Sequence, residues 1–131
     1  MRTLLTCLLA PLVLLACAHS PSDLSVADSA RLIAAHKGDA SFEVLDVRTP
    51  GELAQGVIAG SRNIDFLAPD FKDRVAKLDR SKTYLVHCAT GGRSKKAQTL
   101  MESLGFKAVY NMLGGFRAWA AAGEPVAKQP G

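Results

Sequence analysis

A chain of 131 residues, 48% apolar and 21% charged, has the length of one domain of ordinary size and enough apolar surface to exclude a disordered polymer. Its formal net charge of +4 suits small anions but forms no concentrated basic stripe, which excludes nucleic acid as the partner.

Residues 1–16 are a different kind of sequence from the rest. "MRTLLTCLLAPLVLLAC" opens with one cation, Arg2, and then runs apolar from Leu4 to Ala16. A membrane-spanning helix needs about 20 apolar residues; this run is shorter and holds Pro11. A charged start, an apolar core and small residues at the end predict a secretory signal peptide over residues 1–16. The closing "LLAC" resembles the bacterial lipobox, which implies lipidation of Cys17, a tether over residues 17–23, and a place on the periplasmic face of the cell envelope. The membrane would then be met through the lipid anchor alone. A plain signal cut near Ala16 or Ala18 is the alternative. Cys7 leaves with the signal, so Cys88 is left without an internal partner in an oxidising compartment. An unpaired thiol there points to a reactive one.

After the polar stretch "AHSPSD", the folded domain is expected over residues 24–127, with a tail at 128–131. Helical spacing predicts a helix over Leu24–His36, capped by Ser25 or Asp28 and ended by Gly38. "FEVLDV", Phe42–Val47, reads as a strand. "TPGE" is a turn into a short helical segment. "IAGSRNI" is a loop entering a second short strand. "APDFKDRVAKL" is a helix with Pro69 near its first turn. "TYLVHC", Thr83–Cys88, is a buried strand, and "SKKAQTLMESLG", Ser94–Gly105, an amphipathic helix stopped by glycine. "AVYNM" is another strand, and "GGFRAWAAAG" a last helix closed by Gly123 and Pro125. Alternating strands and helices predict an α/β fold, a mostly parallel sheet of about five strands with helices on both faces. Ligands of such sheets bind at the carboxyl ends of the strands, where Cys88 lies.

"CATGGRS", Cys88–Ser94, carries the chemistry. A thiolate attacks where a thiol hardly does, and free cysteine has a pKa of about 8.5. The helix beginning near Ser94 turns its free N–H groups and positive end toward the loop. Gly91 and Gly92 let the backbone fold tightly and aim N–H groups inward, and Arg93 adds a cation. One anion beside one nucleophile is what this cradle would hold. His87 precedes the cysteine on a strand, points to the opposite face, and reads as packing. Scattered His19, His36 and a lone loop cysteine do not make metal-ligand spacing.

Three motifs, in order, resemble single-domain rhodanese sulfurtransferases: "VLDVRTPGELAQGVIAGSRNI" (44–64), "CATGGRS" (88–94) and "LGGFRAWAAAGEPV" (113–126). The resemblance implies the rhodanese-like fold over about Ser25–Val126. It also implies attack by Cys88 on the outer sulfur of an anionic donor such as thiosulfate, a persulfide on Cys88, and transfer to cyanide or a thiol. A thioredoxin-like reductant is one candidate acceptor. Ala89, Thr90, Gly91, Gly92, Arg93 and Ser94 would bind the anion and persulfide, with no metal or organic cofactor. The chain departs from the family's pattern at Ala89, where a cation is frequent, and at Val57, where a histidine is usual; the second change concerns packing. Asp46 and Arg48 read as an ion pair positioning the loops, Glu52 as a helix-turn partner, Trp119 as core, and Lys95 and Lys96 as a solvated face.

Two other readings stand beside sulfur transfer. "HC" followed by a glycine-containing loop and arginine also resembles cysteine-dependent phosphatases and arsenate reductases. Those enzymes place one residue more than the four found here between cysteine and arginine, which makes a wider ring. A persulfide carrier or binding module without fast turnover is the other.

Overall fold

The computed structural model describes residues 22–131. The expected signal peptide, Cys7, the expected lipidation site Cys17 and His19 lie outside the described residues.

The elements run β1 (Asp23–Leu24), α1 (Val26–Ala35), β2 (Phe42–Asp46), a 3-10 turn (Pro50–Gln55), β3 (Arg62–Asn63), α2 (Phe71–Ala76), β4 (Thr83–His87), α3 (Gly92–Ser103), β5 (Ala108–Met112) and α4 (Gly115–Ala121). All five strands are parallel, in the order β1-β5-β4-β2-β3. From β2 the chain moves on to β3, and from β4 it moves the other way to β5. The carboxyl ends of β2 and β4 therefore form the switch point at which such sheets open a crevice.

Strand alternation sorts the side chains into two cores. Leu45, Val47, Tyr84, Val86 and Cys88 meet α2 and α3 through Phe71, Val75, Ala97 and Met101. Val44, Leu85 and Met112 face the other way, toward Leu32 and Ile33 of α1 and Phe116 and Trp119 of α4. Burying each such side chain stabilises the fold by about 1.5–3 kcal/mol, which is why the central strands are nearly all apolar.

Three local expectations shift and one pair of alternatives is resolved. Asp23, read as tether, and Leu24, read as helix, form the edge strand β1, paired with Asn111 and Met112. Of the two candidate caps for α1 it is Ser25 that serves, its hydroxyl accepting from the Asp28 N–H at 3.1 Å. Pro69 falls before the cap of α2, because Asp70 takes the N-cap position. The helix after the cysteine loop begins at Gly92, two residues before the expected Ser94. Among the described residues no helix is long and apolar enough to cross a membrane.

Candidate active site

The apolar strand β4 delivers Cys88 to the crevice at the switch point. Cys88 stands on the α3 side of the sheet with Tyr84 and Val86. Its thiol is met by donors from the loop that follows. The Gly91 N–H donates to Sγ at 3.1 Å. The Ser94 hydroxyl lies 3.5 Å from Sγ and 3.1 Å from the Gly91 carbonyl, so its one proton is shared between them. Gly91 sits at φ +110°, and a Cβ there would lie 3.4 Å from the Gly114 nitrogen. The left-handed bend that aims the N–H at sulfur thus needs glycine. Burial pushes the thiol up, and the Ser94 hydroxyl with the N–H groups of Ser94, Gly91 and Thr90 more than offsets it. The net effect holds Cys88 below the ordinary cysteine value. Cys88 is 0% exposed, while Thr90 and Gly92 above it face solvent.

Arg93 has a partner that local sequence does not reveal. Expected to add a cation to the cradle, it has its guanidinium bidentate on Glu52, at 2.7 and 2.8 Å. Glu52 is also more than a helix-turn partner. With Thr49 it forms a reciprocal capping box at the 3-10 turn, and it reaches Arg93 from 41 residues away in sequence. The Arg93 guanidinium, helped by Thr49, holds the Glu52 carboxyl down at about 2. The T-x-x-E signature of a capping box was present in "TPGE". Its tie to Arg93 required the fold.

Asp46 and Arg48 form the expected ion pair, buried to 1% exposure. Arg48 grips the Asp46 carboxylate at 2.7–3.1 Å, donates to the Gly56 carbonyl at 2.9 Å, and lies 4.0 Å over the Phe116 ring. One guanidinium therefore joins β2, the 3-10 segment and α4. His87 is on the face opposite Cys88 and fully buried. Its Nε2 is 3.6 Å from Asp46 Oδ2, with no hydrogen-bond partner. Burial holds the imidazole below its ordinary value, with Asp46 opposing.

α4 packs its first turn onto the cysteine loop. Phe116 N–H donates to the Cys88 carbonyl at 2.8 Å and Arg117 N–H to the Ala89 carbonyl at 3.0 Å. A Cβ on Gly115 would lie 2.5 Å from the Cys88 oxygen. This docking escaped the sequence reading, although the glycine pair Gly114–Gly115 was its signal. Lys95 is exposed on α3, and its ammonium is bound to Asp23 at 3.0 Å. Val57 is buried and bridges to Ala127 through hydrogen bonds of 2.8 Å in both directions, away from the loop. Trp119 is core, its indole N–H donating to the Pro125 carbonyl at 2.8 Å. Among the described residues, no group of three or more His, Cys, Asp or Glu could hold a metal ion. A cavity of about 810 Å³ between α1 and residues 124–127 includes none of the loop residues.

A donor-held sulfur with a lowered proton affinity, at a switch point, is a nucleophile prepared for an electrophilic sulfur or phosphorus. Comparison with known proteins narrows the family. Residues 29–122 match the family model of the rhodanese-like domain. The chain is 36% identical over 115 residues to thiosulfate sulfurtransferase 16, chloroplastic, of Arabidopsis thaliana, covering 80% of this chain and 92% of that one. Among solved structures, a rhodanese-related protein of Thermoplasma volcanium is 34% identical with a TM-score of 0.68, covering 82% of this chain and 98% of that one. A Rhodopseudomonas palustris protein described as a possible tyrosine phosphatase is 31% identical with a TM-score of 0.64, covering 82% of this chain and 85% of that one. With its five parallel strands, its cysteine loop and this match over most of its length, the chain belongs to the rhodanese-like domain family.

Proposed function

We propose that this protein moves a sulfane sulfur from an anionic donor such as thiosulfate, through a persulfide on Cys88, to a thiophilic acceptor. The observation that carries the reading is the Gly91 N–H 3.1 Å from Sγ, joined by Ser94, in a loop that lowers the thiol's proton affinity. The Cys88 thiolate attacks the outer sulfur of thiosulfate. A bond forms from Sγ to that sulfur as its bond to the sulfonyl sulfur breaks, and the electron pair departs with sulfite. The persulfide carries the negative charge and takes over the loop's N–H donors. Cyanide or a thiolate then attacks the outer sulfur, and Cys88 is left as a thiolate. Every step balances without a metal or organic cofactor. The thiosulfate sulfurtransferase of Arabidopsis supports this substrate class by its likeness to the chain.

The soluble domain, given thiosulfate and cyanide, should release sulfite, and mass measurement should find one added sulfur atom on Cys88. Cys88→Ala should abolish both. Sulfur loading with negligible turnover would instead fit a persulfide carrier. The Rhodopseudomonas relative favours one second reading, hydrolysis of a phosphate ester. Four residues between Cys88 and Arg93 make a small ring for a tetrahedral oxyanion. Release of nitrophenol from its phosphate ester, lost in Cys88→Ser and without any sulfur transfer, would overturn the proposal. We also propose that residues 1–16 direct export and that Cys17 carries the lipid, on the lipobox-like "LLAC". Metabolic labelling with a fatty acid, lost in Cys17→Ala, tests that.

A further inference from the structure

Most cations near the cysteine loop are already engaged. Position 89, directly after the nucleophile, is alanine. The Arg93 guanidinium is bidentate on Glu52 at 2.7 and 2.8 Å. The Lys95 ammonium is held by Asp23 at 3.0 Å and by Gln98 at 2.9 Å. Arg48 is buried against Asp46 at 2.7 Å. A dianionic reactant approaching Cys88 meets positive charges that are largely cancelled.

Arg117 and Lys96 are the cations there whose side chains have no partner among the described residues, and Arg117 is the one whose backbone bonds to the residue after the nucleophile. Its backbone N–H donates to the Ala89 carbonyl at 3.0 Å, next to a Phe116 N–H that donates to the Cys88 carbonyl at 2.8 Å. Gly115 permits that approach, since any Cβ there would lie 2.5–2.6 Å from backbone atoms of Cys88 and Ala89. The Arg117 side chain is exposed, and among the described residues it makes no ion pair or hydrogen bond. We infer that Arg117 supplies the cation that position 89 lacks, drawing anionic reactants to Cys88 and setting the site's preference for charged sulfur donors over neutral ones. The inference deepens the sulfur-transfer reading above and rests on it for the donor's identity. Arg117 is a specificity-determining residue brought to the loop from a distant part of the chain. An exposed guanidinium on a residue whose backbone meets the loop acts through the field it adds, so its effect belongs in capture of the anion and should fade with salt.

The test compares alkylation of Cys88 by iodoacetate and by iodoacetamide, reagents of similar size, one anionic and one neutral. Their rate ratio reports the potential at the sulfur and cancels changes in thiolate fraction. At low salt, Arg117→Glu should lower the ratio about tenfold, Arg117→Lys should keep most of it, and about 0.5 M salt should erase the difference. Lys96→Glu makes the same change in net charge at an exposed site on α3 and should leave the ratio within about twofold. In parallel, Arg117→Glu should raise KM for thiosulfate about tenfold with kcat little changed. An unchanged ratio in Arg117→Glu, or an equal fall in Lys96→Glu, overturns the inference whether or not thiosulfate loads Cys88. A ratio that falls as expected in a protein that never accepts sulfur supports Arg117 as the anion-drawing residue and sinks the sulfur-transfer reading alone.

Discussion

The reactivity of Cys88 is a contest between burial and hydrogen bonding. Burial favours the neutral thiol; the Ser94 hydroxyl and the N–H groups of Ser94, Gly91 and Thr90 favour the anion, and they prevail. The thiolate is the form present above the group's pKa, so alkylation of Cys88 by iodoacetamide should rise with pH through a midpoint below that of an ordinary cysteine. Ser94→Ala removes the side-chain donor 3.5 Å from sulfur. It should move that midpoint upward and slow alkylation near pH 7 about five- to tenfold, the scale of one lost hydrogen bond. A midpoint unmoved by the substitution would leave the loop's N–H groups as the whole cause. The nucleophile and its loop were legible in the sequence because they are contiguous: cysteine, two glycines and a helix start within a few residues. The partners of Arg93 and Arg48 were not. Glu52 is 41 residues from Arg93, and Phe116 stacks on Arg48 from a different strand-helix unit. Only the ordering of the strands brings them together.

At the scale of elements, α4 buttresses the cysteine loop through Gly115. That residue sits at φ +59°, and any Cβ would strike the Cys88 oxygen and the Ala89 carbonyl at 2.5–2.6 Å. Gly115→Ala should therefore destabilise the fold by about 2–3 kcal/mol in urea unfolding, combining backbone strain with overpacking, and should slow sulfur loading as the loop shifts. Gly123→Ala, at φ +76° with nothing within 4 Å of its Cβ, carries strain without collision and should cost about 1 kcal/mol with loading unaffected. Equal losses in the two variants would mean that α4 does not brace the loop. The longer elements were readable from period and punctuation, as with Thr83–His87 and the helix that follows the loop. The two-residue strand Asp23–Leu24 was not, because two residues carry no period; what defines it is pairing with Asn111 and Met112. The shift at Pro69 is of the same kind, since a helix of six residues has too few positions to mark its own start.

Across the whole molecule, the sheet separates two chemically unlike faces. Cys88 titrates on one, while His87 is shut into the other, against Asp46, with an unpartnered Nε2. Burial lowers the folded-state pKa of His87, with Asp46 opposing. The unfolded chain therefore binds more protons than the folded one once pH falls below about 6.5. Stability should be fully present above that value and decline beneath it, by up to about 1.4 kcal/mol per pH unit for this one group. Urea unfolding between pH 7.5 and 5 should show the slope, and His87→Gln should flatten it; an equal slope in the variant would exclude His87 as the cause. That the sheet is parallel followed from alternating strands and helices. Its order, with β4 between β5 and β2, did not, because local pattern says nothing about which strands become neighbours.

The atoms that face the sulfur are mostly peptide nitrogens, of Thr90, Gly91 and Ser94. Every residue except proline offers such a nitrogen, so that part of the cradle survives replacement of nearly any neighbouring side chain. Alanine at position 89 is a visible instance. Rim residues can therefore be exchanged to retune which reactant is welcomed, while the means of holding the charged sulfur resides in the bend of the loop, for which the glycine at position 91 is the one fixed letter.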